Sequence, residues 1–151
     1  MANVMRQQLM AQLAVVRDQL AEYGLRGMPD YAEALVADAL DGRRVESGVN
    51  RGFDVVAPQY GRVEVKCRRL PSDGRWEDRI DLRDSKVSGF DHLAIVVFYP
   101  NYDVKGAILV PYSKVWPIVD SRKYHRIAYR EACELEGAVD ISEPVSAAAQ
   151  R

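Results

Sequence analysis

The chain holds few of the residues on which much enzyme chemistry depends. Among its 151 residues are two cysteines, Cys67 and Cys133, and two histidines, His92 and His125. The cysteines lack metal-ligand spacing, which argues against a zinc site and leaves both expected as reduced, structural thiols. His92 stands at the entrance of an apolar run with no nucleophile patterned beside it, so it is expected to be a strand-end residue. Also missing are a glycine-rich phosphate loop of the Walker type, a GxSxG elbow and an HExxH pair. Nucleotide hydrolysis, serine esterase chemistry and zinc peptidase chemistry thereby lose their usual sequence support. No apolar run is long enough to span a membrane, and residues 1–8 lack the apolar segment of a signal peptide, so a cytoplasmic protein with no membrane partner is expected. Strong charge is lacking too. The net charge is −1, which argues against a generally sticky nucleic-acid binder.

What is present suffices for one domain. At 48% hydrophobic, residues 1–151 can bury a sizeable core. Val4, Leu9, Leu13, Val16 and Leu20 recur at helical spacing, predicting an N-terminal helix to about Tyr23 within a segment 1–28 that could pack on the core or on a second subunit. A second helix is expected over 31–40, a strand near 44–47, and a glycine-rich turn over 47–52. Residues 75–82 read as a strand leading into a short helix through 85–87. Residues 93–99 form an almost wholly apolar run, the mark of a central strand buried on both faces, and 107–110 should pair with it. A mixed helix over 121–134, with His125 among Arg122, Lys123, Arg126 and Arg130, could contact nucleic acid, although a solvated amphipathic helix is the commoner case. The core is placed at 29–112, C-terminal helices at 113–141, and a frayed tail at 142–151.

The most informative stretch is 52–68. Residues 52–57 and 62–68 alternate in hydrophobicity around the turn-forming Pro58-Gln59-Tyr60-Gly61, which predicts a hairpin. Centring the loop on Gln59 makes each cross-strand pair sum to 118, so Val55 faces Val63 and Asp54 faces Glu64. The period of two puts Glu64, Lys66 and Arg68 on one face and Val63, Val65 and Cys67 on the other. Carboxylates directly opposite each other cost on the order of 0.2–1 kcal/mol, which invites a compensating cation. Mg²⁺ takes carboxylate, water and phosphate oxygens, and Lys66 stands beside the same pair.

These residues, spaced as D-x9-E-x-K, resemble the PD-(D/E)xK nucleases, the restriction-endonuclease-like superfamily. Phe53 replaces the proline of the motif's name, a position whose side chain the chemistry does not need. The resemblance covers roughly residues 31–112. It implies an α/β fold, a mixed central β-sheet flanked by helices with an αβββαβ core, and a Mg²⁺- or Mn²⁺-dependent endonuclease acting on DNA. It also implies that Asp54 and Glu64 hold the metal together with the Val65 carbonyl, and that Lys66 serves the attacking water. Many members carry a glutamate on the preceding helix, which here would be Glu33. Equally, Asp30-Tyr31-Ala32-Glu33 after Pro29 fits a capping box, which would leave Glu33 merely closing a helix end. Small members of the family commonly work as homodimers, one site per strand.

Charge follows the motif. Residues 43–86 carry eleven Lys/Arg against eight Asp/Glu, a local balance of +3, while the remainder stands at −4. Arg51, Arg62, Arg68, Arg69 and Lys86 are the candidate phosphate contacts, and Trp76 could stack on a base. The alternative reading is a non-catalytic nucleic-acid-binding or assembly module that keeps the nuclease fold with a vestigial polar face.

Overall fold

The structure, a computed structural model, describes residues 2–45, 52–75, 79–83 and 89–151. Most of the glycine-rich turn, Arg51, Trp76 and the short helix expected at 85–87 with Lys86 lie outside these residues.

Helix α1 (Ala2–Glu22) is built from strong helix formers with no glycine or proline. It ends where Gly24 adopts φ 73°, with Leu25 N–H on the Leu20 carbonyl at 3.0 Å and Gly24 N–H on that of Ala21 at 2.9 Å. That pair of bonds is a Schellman stop, which a glycine makes without strain. After α2 (Met28–Ala39) come strands β1 (Arg43–Arg44), β2 (Val55–Ala57), β3 (Gly61–Arg69), β4 (Arg79–Asp81), β5 (His92–Phe98) and β6 (Val104–Pro111). Helix α3 (Tyr112–Asp120), strand β7 (Arg126–Ala128), helix α4 (Tyr129–Cys133), strand β8 (Val139–Asp140) and helix α5 (Ser142–Ala149) complete the order.

The fold is α/β. Six strands form one mixed sheet in the order β1-β2-β3-β5-β6-β8, while β4 and β7 pair in a separate ribbon. β3 and β5 run parallel, and the other neighbours are antiparallel. On one face Val63 and Val65 join Ala94, Val96 and Phe98 beneath α2 and α5. On the other, Leu93, Ile95 and Val97 pack with Leu82, Val115, Val119 and Ile127. β5 contributes alternate residues to both cores, which explains why its sequence is apolar without a period. Among the described residues no helix is long and apolar enough to cross a membrane.

Two C-terminal expectations are corrected. Residues 142–149 are helix α5 rather than a frayed tail: Ile141, Val145 and Ala148 are buried, and the Ser142 hydroxyl accepts the Ala107 N–H at 2.9 Å. The apolar residues recur at helical spacing, and that face closes the core beside α2. The segment expected as one helix over 121–134 is divided. His125 takes φ 49°, Ile127 turns into the core as part of β7 opposite Ile80, and only Tyr129–Cys133 is helical. Glu131 fixes this corner by accepting the Ala128 N–H at 3.0 Å and by pairing with Arg122.

Among the described residues helix α1 packs on nothing extensive. Val4, Leu9, Met10 and Val15 are each more than half exposed.

Candidate active site

The hairpin pairs Val55 with Val63, Val56 with Arg62 and Ala57 with Gly61, the register that the turn requires. Gly61 stands at φ 75°, and a Cβ there would strike the Asp91 carboxylate, which itself accepts the Arg62 N–H at 2.8 Å. The paired ladder ends at Val55, and Asp54 stands one residue beyond it, near enough to Glu64 for its charge to act on that carboxyl. Arg62 offers its carbonyl to the Asp91 N–H on the β5 side, so alternate residues Val63 and Val65 direct their backbone groups toward β2. The Asp54 N–H takes the Val63 carbonyl, so the regular ladder gives way at this residue and its side chain turns back along β3.

Asp54 is held from three directions. Its N–H donates to the Val63 carbonyl and its carbonyl accepts the Val45 N–H, both at 2.9 Å, while Oδ2 accepts the Val65 N–H at 2.9 Å. The carboxylate thus stands in for the strand that ends at Val55. The Val65 carbonyl points to the same side as its N–H and opens beside Asp54. Glu64 and Lys66 share the face as expected, with Lys66 Nζ 3.4 Å from Glu64 Oε1 and both side chains mostly buried.

Glu33 does not cap its helix. α2 begins at Met28 after Gly27, with Pro29 in its first turn, and Asp30 rather than Glu33 reaches back, accepting the Arg26 N–H at 2.8 Å. Glu33 lies one turn further on, its carboxyl within hydrogen-bonding reach of Asp54 and 3.1 Å from an Arg44 guanidinium nitrogen. The same Arg44 nitrogen is 3.2 Å from Asp30. Arg44 thereby ties β1 to α2 and turns Glu33 toward the hairpin.

Crowding raises the proton affinity of all three carboxyls. Burial first, then the charge of Asp54, pushes Glu64 up to about 7 against the opposing pull of Lys66. Burial raises Asp54 in spite of its bond from the Val65 N–H. Burial and then Asp54 raise Glu33, with Arg44 opposing. Among the described residues no three His, Cys, Asp or Glu side chains form a metal cage by themselves. A cation here would be met by Asp54, Glu64, a backbone carbonyl and water, a donor set that suits a hard divalent ion.

The basic candidates divide. Arg68 shares the face of Glu64 and Lys66, and its guanidinium donates to the Arg79 carbonyl at 3.2 Å. Arg62 is engaged with Asp91 at 3.2 Å. Arg69 falls on the opposite face, donating to the Pro100 carbonyl at 2.6 Å and lying over the Tyr102 ring. Its odd position in β3 turns it away from the carboxylates. Arg51 and Lys86 lie outside the described residues. His92 opens β5, its Nδ1 2.8 Å from the Tyr60 carbonyl. The role of Arg44 has no periodic trace in the sequence, because its partner Glu33 stands eleven residues earlier.

No family model matches the chain, and no curated protein matches it significantly.

Proposed function

We propose that the chain is a metal-dependent endonuclease that hydrolyses DNA phosphodiester bonds, with the chemistry of the PD-(D/E)xK nucleases that its motif resembles. The observation that carries this reading is the gathering of the part-buried Asp54 and Glu64 carboxylates beside the end of β2, with Lys66 Nζ 3.4 Å from Glu64. In this reading Asp54, Glu64 and the Val65 carbonyl hold Mg²⁺ or Mn²⁺. A bound divalent ion supplies Lewis acidity to a phosphodiester oxygen and acidifies a water. Lys66 then places its ammonium, now on Glu64, beside the incoming water and the charge growing on phosphorus. Glu33, turned toward Asp54, adds a further acceptor for water at the rim. The attacking water oxygen gives up a proton to solvent and forms the new P–O bond, one ester P–O bond breaks, and the leaving alkoxide oxygen takes up a proton from water.

Metal binding is the direct test against a vestigial face. Mn²⁺ at about a hundred times its dissociation constant stabilises a one-site protein by about 2.7 kcal/mol, or about 5–10 °C at this chain length. The wild type is expected to gain that in thermal melts, and Asp54→Ala to gain none. Equal shifts in both proteins would place the ion elsewhere and favour the non-catalytic binding or assembly module.

Helix α1 supports a homodimer. A surface helix owes its stability chiefly to packing, yet Leu9, Val16 and Leu20 of this one lie exposed in a stripe. A two-fold pair of such helices would set two sites against two DNA strands. Light scattering after gel filtration should give twice the chain mass, reverting to a monomer in Leu13→Asp/Val16→Asp. A wild-type monomer at tens of micromolar would remove the dimer and leave the site untouched.

A further inference from the structure

The β4–β7 ribbon carries a group of side chains that the proposed chemistry does not use. Arg79 on β4 lies opposite Ala128, and Asp81 opposite Arg126. With the loop before β7 they enclose a cleft of about 300 Å³ lined by Arg79, Arg122, Lys123, Tyr124, Arg126 and Glu131. Four cations therefore face one carboxylate, and that carboxylate is committed: Arg122 grips Glu131 through two bonds of 3.0 and 2.6 Å. The Arg122 guanidinium also donates to the Arg126 carbonyl at 3.0 Å, which fixes the loop. Behind it, the His125 ring stacks on Trp116 at 6.1 Å. Asp81, the acidic residue across the ribbon, is paired with Arg83 at 2.7 Å.

On this rigid base Tyr124 projects into solvent, 57% exposed. Its ring has Lys123 Nζ at 5.3 Å and the Arg126 guanidinium at 5.5 Å from its centre. An exposed aromatic ring set between cations is the arrangement that stacks a nucleobase while its flanking phosphates are neutralised. The ribbon also adjoins the candidate active site. Arg68, on the face of Glu64 and Lys66, bonds to the backbone of Arg79. Four residues of strand separate Arg68 from Glu64, roughly 13 Å, so one bound strand can span from the carboxylates to the ribbon.

We infer that the Arg79–Lys123–Tyr124–Arg126 cleft is a second nucleic-acid-binding site, which takes backbone phosphates and an unpaired base of the substrate to be cut. This rests on the nuclease reading and deepens it: substrates carrying unpaired bases are bound in preference to intact duplex. Arg79, Lys123 and Arg126 supply phosphate contacts, and Tyr124 supplies the stacking surface. Arg122 and Glu131 position the loop.

The test is fluorescence anisotropy in EDTA, so that nothing is cut, with a labelled single-stranded 20-mer and the matching duplex. In Arg79→Ala/Lys123→Ala/Arg126→Ala, affinity for both should fall about 10- to 100-fold, and the slope of log K against log salt should flatten by about 2–3. Tyr124→Ala should cost about tenfold on the single strand and much less on the duplex. All four side chains are exposed, so unchanged melting is expected, and the single alanine variants serve if the triple variant misfolds. Wild-type affinity and salt slope in the triple variant and in Tyr124→Ala, while wild type still cuts, would overturn this site alone. Wild type that neither binds nor cuts DNA would overturn the nuclease reading and this site with it.

Discussion

Replacing Glu64 with alanine is expected to lower metal-dependent DNA cleavage by about 10³-fold or more, and Lys66→Ala by about 10²–10³-fold, values typical for removing a group that stabilises charge in the transition state. Asp54 needs two variants, because its carboxylate also accepts the Val65 N–H at 2.9 Å. Asp54→Ala removes both the acceptor and the anionic ligand and should lose stability as well as activity. Asp54→Asn retains an oxygen for the Val65 N–H but not the charge, and should lose activity with the fold kept. Lys66→Arg is not a conservative rescue, since a planar guanidinium cannot occupy the position of a compact ammonium beside Glu64. Glu33→Gln should cost less than either hairpin carboxylate, because Arg44 already draws its charge. Comparable rates in wild type and Glu64→Ala would assign the cutting to another protein in the preparation.

The second large effect concerns stability. Glu64→Gln, expected to be inactive, should be more stable than wild type in EDTA at pH 8. Glu64 ionises near 4.5 when unfolded and at about 7 in the fold, because burial and the Asp54 charge disfavour its anion. Its contribution to stability is fully present below 4.5 and is lost as pH rises through about 7, since the unfolded chain gives up that proton first. Glutamine stays neutral throughout. The variant should match wild type near pH 4 and exceed it at pH 8 by on the order of 1–3 kcal/mol, or about 3–10 °C. Saturating Mn²⁺ should narrow or reverse the order, because only the wild type regains the cost of its crowded carboxylates. A Glu64→Gln protein no more stable than wild type at pH 8 would mean that the carboxylates are not crowded, and the electrostatic case for a cation would fail. Such a trade of stability for a charged site is common where function demands it.

The site was legible where chemistry is local. Pro58 to Gly61 fix a turn, the turn fixes the register from Ala57 with Gly61 to Val55 with Val63, and the period of two sets Glu64 and Lys66 on one face. Asp54 lies one residue past the ladder, held by its own bonds to Val45, Val63 and Val65. The apolar run of β5 and the glycine stop of α1 are local in the same sense. Glu33 was not legible, because Asp30-x-x-Glu33 fits a capping box as well as it fits a helix that began two residues earlier; Gly27 and Pro29 settle the frame, and Arg44 the orientation. Arg69 was grouped with Arg68 by adjacency, although neighbours on a strand face opposite ways. The helix at 142–149 escaped notice because its alanines read as weakly hydrophobic until α2 and β6 supply a surface for them. The basic ribbon joins Arg79 to residues more than forty positions away, and no window of sequence contains both.

The central claim is that Asp54, Glu64 and Lys66 form a working hydrolytic site. Nicking of supercoiled plasmid, with linear duplex, single-stranded and four-way-junction DNA alongside, tests it most directly when wild type is compared with Glu64→Gln and Lys66→Ala in Mg²⁺ or Mn²⁺. Cleavage by wild type alone is expected, and since Glu64→Gln should be the more stable protein at pH 8 without metal, a melt of each variant in the assay buffer separates its silence from unfolding. Wild type as inert as both variants on every substrate, while still binding DNA, would contradict the account and leave a binding module with a nuclease-like face.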